Sequence, residues 1–400
     1  MKYHGALSQL AVSVRMTRYM RGRAKIVGLL IVGQVRRAGH VGRGGIVILL
    51  LAAAIATLPV AARQKGGEDE TGPYDVVENW MAPVQPGWIV YAVDVFAESP
   101  NRIFIGSTGT SPMPDAAQGG RGASALRLFN LSIPGARLDH FLVVVDRQGR
   151  PIEEWSQWYG HFRVPHRITM DPYDPERHVW FVDRGSQQIF KFSNDGKRLV
   201  MTLGEKDVAG SDATHFGRPT DIAFLPDGTF FVSDGYDNAR VVKFDKNGKY
   251  LTAWGTKGTG PGQFDLPHCI AVDARRRVYV ADRSNHRIQV FDENGRFLDE
   301  WRNIPQPHHM VITQEQFLWL SDGTTSRIAK YDLNGKLQTY WGTQGTNPGY
   351  MNQPHAFSVD SEGNLYIANG LNQRVEKYIP AANADRSRLV GQAFGPAAPR

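Results

Sequence analysis

Three histidines stand at matching positions of this sequence, each directly after a proline. They are His166, His268 and His355, in Val-Pro-His, Leu-Pro-His and Gln-Pro-His. Three neutral imidazole nitrogens that converge on one point form a metal site, with a fourth position open for water or substrate. Zinc suits such a ligand set best, although iron, manganese and copper also accept nitrogen ligands. A single histidine of this kind would more often cap a strand, whereas three matching ones favour a metal.

The elements that carry these histidines form a repeat. Prolines at 165, 219, 267, 307 and 354 open successive units at intervals of 54, 48, 40 and 47 residues. Each unit holds four short segments of alternating polarity, separated by Asp-Gly, Asn-Gly or Glu-Gly turns that suit tight hairpins. Four antiparallel strands in about every 40–50 residues are typical of a β-propeller blade.

A sixth, more divergent unit precedes these five, between Tyr91 and Trp155, with an insert at about residues 107–139. The last unit needs a fourth strand, for which residues 388–392 are the candidate. The sequence therefore predicts an all-β fold, a six-bladed propeller over residues 86–395.

The ring geometry brings the histidines together. The first strand of a propeller blade lines the central channel, and the three histidines lie at the start of the first strands of blades 2, 4 and 6. Alternate blades of a six-membered ring are about 120° apart, so the imidazoles should converge on the axis. His308 takes the same position in blade 5, and the sequence leaves it open as a fourth ligand or a bystander.

The second strand of each blade should run back to the histidine rim, because it is antiparallel to the first. Most of these strands end in Asp, a residue that usually binds turn amides at such a place. Tyr236 in blade 3 and Arg283 in blade 4 depart from the common Asp-Gly pattern. A guanidinium suits a carboxylate, and a phenol beside cations loses its proton readily enough to act as a base.

The repeat consensus resembles the NHL repeat over about residues 164–378. The segments around the rim further resemble the peptidyl-α-hydroxyglycine α-amidating lyase family over about residues 138–380. The segments that carry this likeness are Val164–His166, Arg218–Asp221, Ser233–Arg240, Leu266–His268, Ala281–Gln289 and Gln353–His355.

The resemblance implies one axial zinc held by His166, His268 and His355, with Tyr236 as the catalytic base. It implies that Arg283 binds substrate and takes part in catalysis. The implied activity is that of a carbon–nitrogen lyase, which cleaves peptides ending in α-hydroxyglycine, or related amides, to an amide plus glyoxylate.

Two positions depart from the family pattern. The family has an acidic calcium ligand directly after the last histidine, where this chain has Ala356, which argues against Ca²⁺ there. The family also has a catalytic arginine at the end of the second strand of blade 1, where this chain reads Ile105-Gly106-Ser107. Arg121, in the insert that follows, is a candidate to replace it. These departures keep open an alternative: an exported, non-catalytic NHL propeller that binds a peptide, glycan or protein partner.

The N-terminal region has a different composition. Residues 1–43 carry nine basic and no acidic residues, and an apolar stretch runs from Gly44 to Ala62. This pattern is typical of a secretory signal, and the stretch is about long enough to anchor the chain in a membrane if it is not cleaved. We expect a leader over residues 1–62, a flexible linker over 63–85, and export to the periplasm or the exterior.

The formal charge of +7 comes from this leader. From residue 66 onward the chain has 35 basic and 39 acidic residues, which excludes the basic footprint of a nucleic-acid-binding domain. A single cysteine, Cys269, excludes an intramolecular disulfide. The expected partner is a small peptide or amide substrate with a terminal carboxylate, and the expected state is a monomer.

Overall fold

The computed structural model of the chain describes residues 71–112 and 136–396. The leader predicted over residues 1–62, the beginning of the predicted linker and Arg121 lie outside the described residues. Within the described ranges, no helix is both long and apolar enough to cross a membrane.

The described residues form six four-stranded antiparallel sheets, which are the blades of a propeller. The innermost strands of successive blades contact one another, and the innermost strand of blade 6 contacts that of blade 1, so the ring is closed. The six-bladed fold predicted from the repeat is thus confirmed.

Blades 1 and 2 contain β2 (Trp88–Ser99), β3 (Arg102–Pro112), β4 (Leu142–Val145), β5 (Pro151–Glu154), β6 (Pro165–Met170), β7 (Val179–Asp183), β8 (Gln188–Phe192) and β9 (Leu199–Leu203). Blades 3 and 4 contain β10 (Pro219–Phe224), β11 (Phe230–Asp234), β12 (Arg240–Phe244), β13 (Tyr250–Trp254), β16 (Pro267–Val272), β17 (Val278–Asp282), β18 (Arg287–Phe291) and β19 (Phe297–Arg302), with the short parallel pair β14 (Thr256–Lys257) and β15 (Gln263–Phe264) between them. Blades 5 and 6 contain β20 (Pro307–Ile312), β21 (Phe317–Asp322), β22 (Arg327–Asp332), β23 (Leu337–Trp341), β24 (Pro354–Val359), β25 (Leu365–Asn369), β26 (Arg374–Pro380) and β1 (Tyr74–Val77).

The hydrophobic core is divided among the interfaces between neighbouring blades. Six buried clusters each combine residues of two adjacent blades, and together they pass once around the ring. A single blade buries only part of its apolar surface, so the apolar side chains of its strands are covered by the neighbouring blade.

The turns between third and fourth strands pack against a tryptophan of the preceding blade. Gly196 has a φ of 69°, and a Cβ there would overlap the indole of Trp155 in the preceding blade. Gly295 makes the same approach to Trp254 with a φ of 87°. The Asn-Gly and Asp-Gly turns therefore provide both the hairpin geometry and the space for a tryptophan.

The closure of the ring differs from the prediction. The fourth strand of blade 6 is β1, which pairs with β26 in the register Tyr74↔Pro380 to Val77↔Lys377. The assignment of that strand to residues 388–392 is therefore wrong, and the flexible linker predicted over 63–85 is wrong where β1 lies. An N-terminal strand that completes the last blade satisfies the exposed edge of β26 and joins the two ends of the ring.

Candidate metal centre

The histidine rim is built by a repeated pairing of first and second strands. The opening proline of a first strand pairs with the last residue of the second strand, as in Pro165↔Asp183, and the register shifts by one residue directly after the proline. The same arrangement occurs in blades 3 to 6. The predicted return of the second strands to the histidine rim is thus confirmed.

The structure brings His166, His268 and His355 together at the centre of the ring. One ring nitrogen of each lies within 4.8 Å of those of the other two. The ring centroids are 4.7, 5.0 and 5.1 Å apart. We call these three residues the histidine cluster, and its arrangement is the one that the alternating blades predict.

Backbone carbonyls fix the orientation of each ring. The Nδ1 atoms of His166, His268 and His355 lie 2.6, 2.7 and 2.7 Å from the carbonyl oxygens of Thr220, His308 and Val93. These carbonyls belong to the three blades that carry no histidine of the cluster. Since a carbonyl only accepts, Nδ1 carries the proton and Nε2 offers its lone pair to the axis.

Burial keeps the imidazoles neutral. It lowers the pKa of His166 and of His268 well below the usual value, and nearby cationic groups lower them further. Burial, followed by the charge of Arg283, lowers the pKa of His355 to about 4. A metal ligand has to be neutral imidazole, so the cluster is prepared for a metal at neutral pH.

Tyr236 lies over the histidine cluster. Its hydroxyl oxygen is 3.2 Å from Nε2 of His166 and 3.2 Å from Nε2 of His268. Gly235 makes this position accessible, because a Cβ there would overlap the carbonyl of Pro267 in the next blade. The phenol oxygen is therefore placed where it can exchange a proton with a ligand bound at the cluster.

Three guanidinium groups surround the Tyr236 ring. The Cζ atoms of Arg184, Arg218 and Arg283 lie 4.6, 5.4 and 5.6 Å from its centroid. Arg218 forms an ion pair with the exposed carboxylate of Asp237. Cations at the face of a phenol are attracted by its π electrons. Of these three arginines, the sequence pointed to Arg283, which departs from the Asp-Gly pattern; Arg184 departs from it in the same way and was missed.

An open pocket reaches this site from the side of blades 1, 2 and 6. The described residues that line it are Tyr91, Ala92, Val93, Thr108, Pro165, His166, Arg184, Tyr236, Gln353, His355, Gly370 and Leu371. A small substrate would thus reach two histidines of the cluster, the phenol and one guanidinium from this side.

His308 is not a member of the cluster. Its ring centroid lies 5.3 Å from that of His268 and 5.5 Å from that of His355. Its backbone carbonyl accepts the proton of His268 Nδ1. Of the two possibilities that the sequence leaves open, a fourth ligand or a bystander, the geometry supports the bystander.

A second polar layer lies one residue further along the first strands. Arg167 is within 3.1 Å of both Asp94 and Asp221, which come from the blades on either side of it. The thiol of Cys269 donates to Asp221 at 2.8 Å, and His309 lies close to both. We call Asp94, Arg167, Asp221, Cys269 and His309 the arginine cluster.

The arginine cluster does not fit a calcium ion. Ca²⁺ requires six to eight oxygen ligands, whereas this layer presents a guanidinium, a thiol and an imidazole, and Ala356 supplies no ligand. Burial, reinforced by Asp221, raises the pKa of Cys269 well above its usual value, so the sulfur is a neutral thiol. The positive charge between the two carboxylates is that of Arg167.

The aspartates at the second-strand ends are structural. The carboxylate of Asp183 accepts backbone N–H groups of Arg163, Val164, Gly185 and Ser186. Asp282 accepts those of Asp265 and Leu266 in the same way. These contacts hold the loops from which Arg184 and Arg283 project.

The comparisons with known proteins agree with this architecture. A family model described as NHL repeat matches residues 216–244 and 264–291, in blades 3 and 4. The chain is 37% identical over 151 residues to a probable peptidyl-alpha-hydroxyglycine alpha-amidating lyase of Caenorhabditis elegans, covering 37% of this chain and 42% of that protein. It is 42% identical over 157 residues to the peptidylglycine alpha-amidating monooxygenase of Rattus norvegicus, covering 37% of this chain and 16% of that protein. It is 28% identical over 245 residues to NHL repeat-containing protein 3 of Homo sapiens, covering 56% of this chain and 69% of that protein.

The chain therefore contains NHL repeats and has relatives named for α-amidation. It spans less than half the length of the two amidating relatives it matches.

Proposed function

We propose that this chain is a metal-dependent lyase that cleaves the carbon–nitrogen bond of peptides ending in α-hydroxyglycine, or of related amides. The products would be an amide and glyoxylate. The observation that carries the proposal is the histidine cluster with the Tyr236 hydroxyl 3.2 Å from two of its Nε2 atoms, at the end of an open pocket. Relatives at 37–42% identity that are named for amidation support the same reaction class.

The Nε2 atoms of His166, His268 and His355 would hold one Zn²⁺, since three neutral imidazoles with an open fourth position suit that ion. A bound zinc ion supplies a Lewis acid that polarises the substrate hydroxyl. Zinc as the metal, and the roles of the individual residues, are parts of this proposal.

Tyr236 would take the proton of the substrate hydroxyl. The electron pair of that O–H bond then forms the carbonyl of glyoxylate, and the carbon–nitrogen bond breaks with its pair on nitrogen. The nitrogen takes up a proton and leaves as the amide, so atoms and charges balance. Arg283, on the far side of the phenol, would help to bind the terminal carboxylate.

The first experiment is elemental analysis of the full chain, purified without added metal. We expect about one zinc per chain, followed by glyoxylate release from N-benzoyl-α-hydroxyglycine. If zinc binds and no glyoxylate forms, the metal site stands and the lyase proposal falls. If no stoichiometric metal binds even after zinc is supplied, both parts fail, and binding of a peptide, glycan or protein partner becomes the function to test.

We also propose that the leader directs export. Cell fractionation and N-terminal sequencing test this, with a mature start close after Ala62 as the expected result. Retention of the whole leader in a membrane fraction would instead identify an anchor, and a cytosolic chain would contradict export.

A further inference from the structure

Two arginines occupy equivalent places on either side of Tyr236. Arg184 directly follows the second strand of blade 2, and Arg283 directly follows that of blade 4. Their backbone N–H groups donate to matching carbonyls, those of Val164 at 3.1 Å and Leu266 at 2.9 Å. The two guanidinium groups thus flank the phenol that projects from the blade between them.

The pocket reaches one of these arginines. Its described wall includes Arg184, His166, His355 and Tyr236, whereas Arg283 is not part of it. Blade 6 has Gly370 at the place that corresponds to Arg184, and there the pocket wall is formed by Gly370 and the apolar Leu371. A ligand in this pocket would therefore lie against Arg184 rather than Arg283.

The charge of this wall suits an anion. The described lining residues include no Asp or Glu, and Arg184 contributes the formal positive charge. Burial, together with the charges of Arg218 and Arg283, lowers the pKa of Arg184 from its usual value. A guanidinium in a largely desolvated, cationic neighbourhood gains much from a carboxylate, which it binds through two parallel hydrogen bonds.

Blade 1 contributes Thr108 to the pocket wall. The family resemblance implies an arginine on that blade, for which Arg121 is the candidate and lies outside the described residues. Among the described lining residues, the guanidinium is that of Arg184 of blade 2.

We propose that Arg184 is a substrate-binding residue that holds the terminal carboxylate at the pocket wall, so that the carbon carrying the hydroxyl faces Tyr236. This inference rests on the proposed function for the identity of the substrate. The pocket itself supports only the class of group bound, a carboxylate beside the guanidinium of Arg184.

A pair of unreactive ligands tests the inference apart from catalysis. N-benzoylglycine carries the carboxylate but no hydroxyl, and N-benzoylglycinamide is its neutral counterpart. We expect the full chain, with and without zinc, to bind the acid at least about tenfold more tightly than the amide by calorimetry, because a charge-assisted hydrogen bond is worth that factor or more. Arg184→Gln should remove most of the preference and leave only the share of Arg283, and Arg184→Lys should restore part of the loss.

Arg163→Gln is the matched control. Arg163 lies in the loop before β6, its guanidinium pairs with exposed Asp207, and it does not line the pocket. The Arg163→Gln substitution removes the same charge as Arg184→Gln but outside the pocket, so this variant should keep the wild-type preference for the acid. Zinc content and melting temperature of each variant establish that the fold is intact.

The outcomes separate the two proposals. If the wild type releases glyoxylate but Arg184→Gln leaves both KM and the acid preference unchanged, the inference is wrong and the lyase stands. If the acid preference depends on Arg184 but no glyoxylate forms, the inference stands and the lyase falls. A wild type that does not distinguish acid from amide overturns the inference.

Discussion

The histidine cluster and the arginine cluster lie one residue apart on the same strands, yet they differ in whether the chain itself supplies a cation. The histidine cluster presents three neutral nitrogen donors, oriented by backbone carbonyls, and its own residues bring no cation among them. The arginine cluster presents two buried carboxylates and carries its cation within the chain, as Arg167.

This difference leads us to expect metal binding in the histidine cluster rather than in the arginine cluster. Among the described residues, the Nε2 atoms of His166 and His268 share only the hydroxyl of Tyr236, so the cluster should gain stability when a metal binds. The two carboxylates of the arginine cluster already share a guanidinium, and Arg167 would repel a further divalent ion. We therefore expect the two layers to respond differently to added metal.

The largest expected effect comes from removing a ligand. His166→Ala, His268→Ala and His355→Ala should each lose most of the bound metal, because two imidazoles cannot close a tetrahedral site. Elemental analysis after gel filtration measures this. His308→Ala is the control, since His308 packs beside the cluster but is not one of the three histidines whose nitrogens converge. Retention of metal in all three variants would show that the site is elsewhere.

The second-largest expected effect separates the catalytic step from metal binding. Tyr236→Phe should lower glyoxylate release by about 10²–10⁴-fold, the usual contribution of a general base, while metal content stays at the wild-type level. Assays of turnover and zinc on the same preparation measure both. Unchanged turnover would remove Tyr236 from the mechanism.

A third change tests the arginine cluster. Arg167→Met leaves Asp94 and Asp221 buried without their cation, which should lower the free energy of unfolding by about 3–5 kcal/mol. Urea denaturation measures the loss. Arg276→Met is the matched control, because Arg276 also joins two acids, Asp227 and Glu293, but at the surface. That change should cost about 1 kcal/mol or less. Equal losses in the two variants would contradict a buried internal cation.

The smallest expected effect is the difference between zinc and calcium in the change of melting temperature that each produces. Zinc at 100 times its dissociation constant should stabilise the metal-free chain by about 2.7 kcal/mol and raise its melting temperature by several degrees. Calcium should leave the melting temperature unchanged, since the arginine cluster does not fit it. A clear shift with calcium would show that an oxygen site has been missed.

Much of the fold could be predicted because the signals were local. Each blade repeats its opening proline and its Asn-Gly or Asp-Gly turn, and the structure begins the five predicted first strands at those prolines. The convergence of the three histidines followed from the number of blades. The outer strand β1 was missed because four residues beside a glycine-rich, acidic stretch carry little pattern, and their partner β26 lies some 300 residues away.

The candidate site was predictable in part for the same reason. His166, His268, His355, Tyr236 and Arg283 stand at repeated or conspicuous positions of the units, and the structure gathers them around one axis. Their roles as ligands, base and substrate-binding residue stay predictions. Arg184 occupies an equally repeated position, but nothing in its own segment shows that the pocket opens on its side.

The sequence by itself therefore determined the blade count, the starts of five first strands and the three histidines that converge on the axis, because periodicity and turn chemistry act over a few residues at a time. Only the tertiary structure decided which end of the chain closes the ring, which arginine meets the pocket and how Arg167 bridges two blades. These features depend on contacts between blades, and the distance between two side chains across the channel is set by the whole ring.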